Sequence, residues 1–560
     1  MKRSILSIGV FIVLLSFIIH LFVMNDYGLT WDFLHHFFAG AKFFGLSWNQ
    51  VITKPLPYSF PDPRGTYQLP YGPFISIIPF ISYQLLYAKT HLFPLDIAYN
   101  LPIVLVGSLG PALLFLFLSQ ALKDKRKALI AAVFLFFLPR YFGDLHNNMK
   151  DIPMAVVFCL NVWLLWRLYT FRRLRDLLLA SLGFAVAFST KVNSLFIPIL
   201  FGVFLTIVNL RESGTRLFRH PLHLIVQLVK KYRIVLLYFI LAPLFAYLLW
   251  WFFWGDAVGE LKLMFTETFL VGTNNIEVLF AGKWYCSGAN VPWFYPYGYL
   301  AITTPLPILM FFLIGVTTAT WQFLRKKDTT LILLVLWFFI PLTRYLSPKI
   351  GVIDGIRHFQ EVVFPIVALA AIGFEQTISF LTNKITKRRP LLWENRIMLL
   401  ALLAIITSLS WNIISYHPYQ IAYYNELVGG IRGAFGKFDL DYWGSSQKQA
   451  AQWLNTHAEK NATVVAFMAP DVFGLYLRDD LLLNLNKISY GQSHYTVVLN
   501  RQSFFYRYFG LYDYLLTHTP MKIFETQGVP IVWIFDNTMP MVPRQSPWWQ
   551  GEDPCIYKYW

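Results

Sequence analysis

Residues 100–142 read NLPIVLVGSLGPALLFLFLSQALKDKRKALIAAVFLFFLPRYF, two apolar runs on either side of the charged knot Lys123-Asp124-Lys125-Arg126-Lys127. One bilayer crossing takes about 20 apolar residues, so the runs at 100–122 and 128–142 read as a helical hairpin through a membrane. The knot is its turn. Lys and Arg in short loops stay on the cytoplasmic side, so the knot faces the cytoplasm, and the rest of the chain takes its sides by counting outward from it.

Ile5–Met24, behind Lys2 and Arg3, is a further span. It is too long for a signal peptide, and no small-residue cleavage site follows it. Others read at 152–170, 177–190, 193–210, 232–254, 298–320, 329–344, 359–380 and 397–415, which makes eleven. Composition agrees: 14% of the 560 residues are charged and 56% are hydrophobic, whereas soluble domains are about 25% charged. That excludes a string of soluble globules. Phe74–Ala88 is short and carries Ser76, Pro79, Ser82 and Gln84. If it crossed, every later basic loop would change sides, so it reads as an interfacial helix, 74–88, within a first external loop at 25–99. The N-terminus is then cytoplasmic.

A net charge of +17 would suit nucleic acid or an anionic membrane. Sorted by side, 24 basic and six acidic residues fall on the cytoplasmic face and the remainder nearly balances. The excess is a topology signal, and no nucleic-acid partner is expected.

Residues 1–416 form the membrane region. The segment 417–560 changes character. Ser445–Ala458 reads as an amphipathic helix with Ser446 and Gln449 spaced as a capping box. Short strands follow at Thr463–Met468, Tyr495–Leu499 and Pro530–Phe535, with a helix at Phe504–Leu516. This pattern predicts a small C-terminal α/β domain, and an odd span count makes it extracytoplasmic. Asn461-Ala462-Thr463 is a glycosylation sequon there. Cys159, Cys286 and Cys555 exclude a disulfide framework, and none has zinc-site spacing.

Ionisable groups at the membrane's outer rim are the candidates for chemistry. Asp32 follows the first span in Thr30-Trp31-Asp32, with His35 and His36 behind it. The turn Arg140…Asp144-Leu145-His146…Lys150-Asp151 gathers two carboxylates, an imidazole and two cations. Lys191, Arg344, Lys349, Arg357 and His358 sit at outer span ends, against the positive-inside bias. Guanidinium groups bind phosphate in a bidentate fashion; pairing with Asp354 and Glu361 is the alternative for these cations.

These pieces, in this order, resemble the GT-C superfamily of membrane glycosyltransferases, and within it family 39: protein O-mannosyltransferases and lipid A aminoarabinose transferases. The resemblance rests on Trp31-Asp32, the Arg140–Pro153 turn, Pro292-Trp293-Phe294-Tyr295-Pro296…Thr303-Thr304-Pro305, and Gly355-Ile356-Arg357-His358-Phe359. It continues through His417-Pro418-Tyr419…Tyr424-Asn425-Glu426-Leu427…Gly429-Gly430 and Asp441-Tyr442-Trp443-Gly444. It implies a GT-C fold of about eleven spans and inverting transfer of a sugar from a polyprenyl-phosphate carrier to a hydroxyl of a protein, lipid or glycan acceptor at the outer face. Asp32 would be the general base. Phe33 stands where the mannosyltransferases usually carry a second acid, which leaves donor sugar and acceptor open.

A phosphate leaving group needs positive charge more than a general acid. Arg357, Lys150, Arg140, Lys191 and His358 are the candidates for donor binding. Asp144, His146 and Asp151 are candidates for positioning the sugar or holding a divalent metal ion; oxygen and imidazole ligands suit several metals. The aromatic stretch Phe60–Ala88 would shape a groove for the isoprenoid tail or serve as an interfacial belt. A transporter or flippase for lipid-linked sugars is the rival reading, but such proteins place ionisable groups near the midplane. A non-enzymatic scaffold would leave the outer acids and cations without a purpose.

Overall fold

Apolar runs in a bilayer must satisfy their backbone groups internally, so they fold as helices. In the computed structural model, which describes residues 3–51, 72–147, 150–213, 221–266, 275–326, 328–385, 390–484, 492–547 and 555, nine helices are long and apolar enough to cross a membrane. They run from Arg3–Asp26 and Leu95–Ala121 to Arg357–Asn383 and Trp393–Tyr416. The chain is a multi-pass integral membrane protein.

Two of the eleven expected spans take other forms. The run at 128–142 is a bent pair, Lys125–Phe136 and Pro139–Asn147, meeting at 59°. Pro139 explains the break: it disfavours helical geometry at Leu138 and brings no N–H of its own. The run at 177–190 becomes the 15-residue helix Leu174–Phe188, ended by Ser189-Thr190-Lys191.

Burial orders the bundle. Within Arg357–Asn383, 83% of the apolar window is buried, against 17% in Arg3–Asp26 and in Trp393–Tyr416. The first is therefore the central helix, and the other two offer most of their surface to lipid. Its closest neighbour is Leu306–Lys326, held by two glycines. A Cβ on Gly315 would lie 1.9 Å from the Leu369 carbonyl oxygen, and one on Gly373 would lie 2.0 Å from that of Phe311. Small residues let such backbones approach.

A short apolar helix forms at Phe74–Tyr83, continued by a wider-pitched turn Gln84–Lys89. It packs on helix Phe33–Phe43, where a Cβ on Gly40 would come within 2.6 Å of the Phe80 Cβ. Residues 60–71 of the expected tail groove lie outside the described residues.

Strands β1 (Glu277–Phe280) and β2 (Lys283–Cys286) form a hairpin that the sequence reading did not foresee. The C-terminal region holds β3 (Thr463–Phe467), β4 (Leu482–Asn484), β5 (Tyr495–Leu499), β6 (Lys522–Thr526) and β7 (Val529–Asp536). Their order is β4-β3-β5-β7-β6, with β3 parallel to β4 and β5, and β7 antiparallel to β5 and β6. The expected helix at 504–516 is two pieces, a 3-10 turn at Gln502–Arg507 and helix Leu511–Thr517, parted around Gly510 at φ +74°.

Two local expectations are corrected. No capping box forms at helix Gln447–His457: the Ser446 hydroxyl donates to Asp441 at 2.6 Å, and the Gln449 amide donates to the Asp26 carbonyl at 2.8 Å. Asp441 takes the Ser446 hydroxyl, and docking against the segment after the first span takes the Gln449 amide. Cys286 and Cys555 are disulfide-bonded across 269 residues, and Cys159 is free and buried. A single bridge between such distant partners leaves no spacing pattern to recognise.

Replacing Gly373 by Leu should force the two central helices apart, at a cost of at least about 1–3 kcal/mol. The expected result is a lower midpoint of thermal unfolding for the detergent-purified protein; an unchanged midpoint would contradict the close packing.

Candidate active site

Asp32 stands at the N-cap of helix Phe33–Phe43, a position where an Asp carboxylate usually accepts hydrogen bonds from the helix's own amides. Here it accepts none of them. Its Oδ2 instead receives Lys150 Nζ at 2.5 Å and Arg357 Nη2 at 3.0 Å. The preceding residue is pinned from the C-terminal region, the Trp31 amide donating to the Trp443 carbonyl at 2.8 Å.

Each cation arrives from a break between helices. Lys150 precedes helix Asp151–Phe171, and Asp151 opens its first turn, where the helix dipole favours an anion. Lys191 lies in the non-helical joint after Leu174–Phe188 and donates to Asp151. Arg357 begins the 3-10 segment Arg357–Val362, after a turn in which Asp354 and Gly355 both adopt left-handed backbone, φ +58° and +64°. The Gly355 amide donates to the Tyr295 hydroxyl at 3.0 Å, and a Cβ there would approach Arg140 Nη1 to 3.0 Å.

Arg357 joins the carboxylates. It lies 3.0 Å from Asp32, 3.5 Å from Asp151 and 2.6 Å from Asp354. Its guanidinium carbon stands 4.2 Å from the centre of the Trp443 ring, a cation–π contact that costs little desolvation. Asp354 gives its other oxygen to Arg501 at 2.7 Å.

This setting fixes the ionisation of Asp32. Burial pushes its pKa up, but Lys150 and Arg357 outweigh burial and hold it well below the usual carboxylate range. Behind it, burial pushes the His36 imidazole well below its ordinary value, with Lys150 adding to the effect, so this ring is neutral. Phe33 points away from the charges into an aromatic cluster, 4.7 Å from the Tyr99 ring centre. The place of a second acid is thus filled by packing.

The sequence-derived candidates divide. Asp32, Lys150, Asp151, Lys191 and Arg357 come together. Arg140 does not join them: its Nε donates to the Tyr423 carbonyl at 3.1 Å and its guanidinium lies 4.8 Å from the Tyr424 ring centre. His358 is buried, its carbonyl accepting from Asn193 at 2.8 Å and from Tyr345 at 3.1 Å. The three candidates for a metal ion each have other partners. Asp144 accepts from Gln360 and from the Trp443 indole. His146 stacks on Tyr27 at 4.0 Å and meets His20 at 2.9 Å. Asp151 is taken by Lys191 and Arg357. Among the described residues no group of three or more His, Cys, Asp or Glu side chains is placed to hold a metal ion.

An apolar cavity of about 130 Å³ is walled by Phe74 and Ile78 of helix Phe74–Tyr83, Pro102 and Val106, Pro153, and Thr190. Of its lining residues, Pro153 and Thr190 lie two and one positions from Asp151 and Lys191 in the chain. Sequence reasoning missed Arg501, which lies 147 residues beyond its partner Asp354 in a segment with no motif around it.

Residues 92–238 match the family described as dolichyl-phosphate-mannose-protein mannosyltransferase. The match spans about a quarter of the chain and includes Arg140, Asp144, Lys150, Asp151 and Lys191, and so covers the Arg140–Pro153 turn. No curated protein matches the chain. Among solved structures, ArnT from Cupriavidus metallidurans bound to undecaprenyl phosphate aligns at 10% identity and TM-score 0.47, covering 97% of this chain and 100% of that one. The Archaeoglobus fulgidus oligosaccharyltransferase aligns at 12% identity and TM-score 0.48, covering 89% and 70%. The arabinofuranosyltransferase AftD from Mycobacteria aligns at 12% and 0.43, covering 94% and 39%.

Breaking a buried ion pair by removing one partner costs about 3–5 kcal/mol. Asp151→Asn, which strands Lys191, should therefore lower the thermal midpoint sharply, and adding Lys191→Met should restore part of the loss. A double variant no more stable than Asp151→Asn would show that the pair is not coupled.

Proposed function

We propose that the chain is an inverting glycosyltransferase that moves a sugar from a polyprenyl-phosphate carrier to a hydroxyl acceptor at the outer membrane face, with Asp32 as general base. One observation carries the reading: three buried cations, Lys150, Lys191 and Arg357, converge on Asp32 and Asp151, and an apolar cavity is lined by their chain neighbours Pro153 and Thr190. An isoprenoid tail suits the cavity and a phosphate suits the cations. The family match over 92–238 supports the same chemistry.

The acceptor oxygen attacks the anomeric carbon as the bond from that carbon to the phosphate oxygen breaks. The acceptor proton passes to Asp32, and the carrier leaves as a phosphate monoester bearing one more negative charge. That charge develops beside Arg357, Lys150 and Lys191, where a preorganised cation lowers the barrier most. In the free protein both cationic contacts of Asp32 fall on Oδ2 and keep it a weak base. An arriving phosphate draws on the same two cations, so donor binding raises the basicity of Asp32 when a proton must be taken.

The topology supports an outer-face reaction. By span count, β1–β2 and the C-terminal sheet share one side, and the Cys286–Cys555 bond joins those two segments. Such bonds persist in oxidising compartments outside the cytoplasm. Donor sugar recognition then falls to groups around Asp144 and Trp443, which border Arg357.

Transfer from radiolabelled polyprenyl-phosphate sugar should fall by about 10²–10⁴ for Asp32→Asn; undiminished transfer removes Asp32 as base. Arg357→Ala should weaken donor use more than acceptor use, and the reverse split would reassign the phosphate site. Asp32 must be ionised to act, and its pKa is depressed. The pH profile of kcat/KM should accordingly stay level from neutrality down to about pH 4, the ordinary carboxylate value. An acid limb near pH 6 would assign control to another group.

A further inference from the structure

The charged cluster is not complete within the membrane helices. Arg501 follows β5 in the C-terminal sheet region and is buried. Its Nη2 donates to Asp354 Oδ1 at 2.7 Å and its Nη1 to the Tyr442 carbonyl at 3.1 Å. Its guanidinium carbon stands 3.7 Å from the Phe504 ring centre and 5.3 Å from that of Trp31, the residue before Asp32. Asp354 is therefore divided, one oxygen on Arg501 and the other on Arg357 Nη1 at 2.6 Å.

We propose that Arg501 is a positioning residue for this site: by holding one oxygen of Asp354 it sets where Arg357 presents its guanidinium. The inference rests on the glycosyl-transfer reading above. With Asp354 shared, Arg357 commits Nη1 to it and keeps Nη2 and Nε on the side of Asp32 and Asp151. Without Arg501 both oxygens of Asp354 are available, and a carboxylate binds guanidinium best through two parallel bonds. Arg357 would turn toward Asp354 and away from the carrier phosphate.

Through Arg501 the C-terminal region supplies a working part of the site.

The test compares wild type, Arg501→Gln, Arg501→Lys and the double variant Arg501→Gln/Asp354→Asn, all as full chains in detergent. Sugar transfer and the binding of undecaprenyl phosphate by isothermal titration are measured for each. Arg501→Gln should lose roughly 10- to 100-fold in kcat/KM for the donor, the usual effect of removing a partner that orients a functional group, with KM for the acceptor unchanged. Arg501→Lys should fall between it and wild type. The double variant should exceed Arg501→Gln in both assays, because it also removes the charge that pulls Arg357 aside; a bracing role alone predicts a double variant at least as impaired. Wild-type-like activity in Arg501→Gln, or a double variant no better than the single, overturns the inference while leaving the transfer reading intact. Absence of both transfer and undecaprenyl phosphate binding in wild type overturns the two together.

Discussion

Arg357 touches three carboxylates at once, and several helix ends are arranged around those charges. A guanidinium offers donors in a rigid fork, so Asp32, Asp151 and Asp354 must arrive from three directions, and they do. Asp32 comes from the start of a short helix, Asp151 from the first turn of a span, and Asp354 from a left-handed turn beside Gly355. Lys150, Lys191 and Arg501 then each meet one of those acids. Removing one member leaves a buried charge without its counterpart, and that penalty is far larger than the net gain from forming the pair. The cluster therefore acts as a register that fixes several helix ends relative to one another.

The helix breaks follow from the same requirement. A continuous membrane helix cannot end a cation inside a buried site without carrying its backbone into the way. The Ser189-Thr190-Lys191 joint and the Asp354-Gly355 turn each stop regular structure within a few residues of a charged side chain of the cluster. Hydropathy registers such breaks as short or interrupted spans. The 15-residue helix Leu174–Phe188 is short because Lys191 must reach Asp151.

Much of this was legible in the sequence. Spans announce themselves through composition, and cations on the wrong side of a membrane stand out against the positive-inside bias. That reasoning found Asp32, Lys150, Asp151, Lys191 and Arg357. It also gathered Arg140, Asp144 and His146 from the same turn, and His358 beside Arg357. Arg140, Asp144 and His146 meet Tyr424, Trp443 and Tyr27, and facing direction is decided by tertiary packing. Arg501 was invisible for the opposite reason. It is one basic residue in a soluble-type sheet, and only the docking of that sheet reveals its partner.

The disulfide between Cys286 and Cys555 closes a covalent ring that contains the four candidate spans from Leu306–Arg325 to Trp393–Tyr416. Arg357, Asp354, Trp443 and Arg501 lie inside that ring, whereas Asp32, Lys150, Asp151 and Lys191 lie on the open part of the chain before it. The site is thus a seam between a closed loop and a linear strand of the same polypeptide. A backbone nick anywhere inside the ring leaves its two pieces covalently joined, so the half that bears Arg357 stays in one piece where the half that bears Asp32 would come apart.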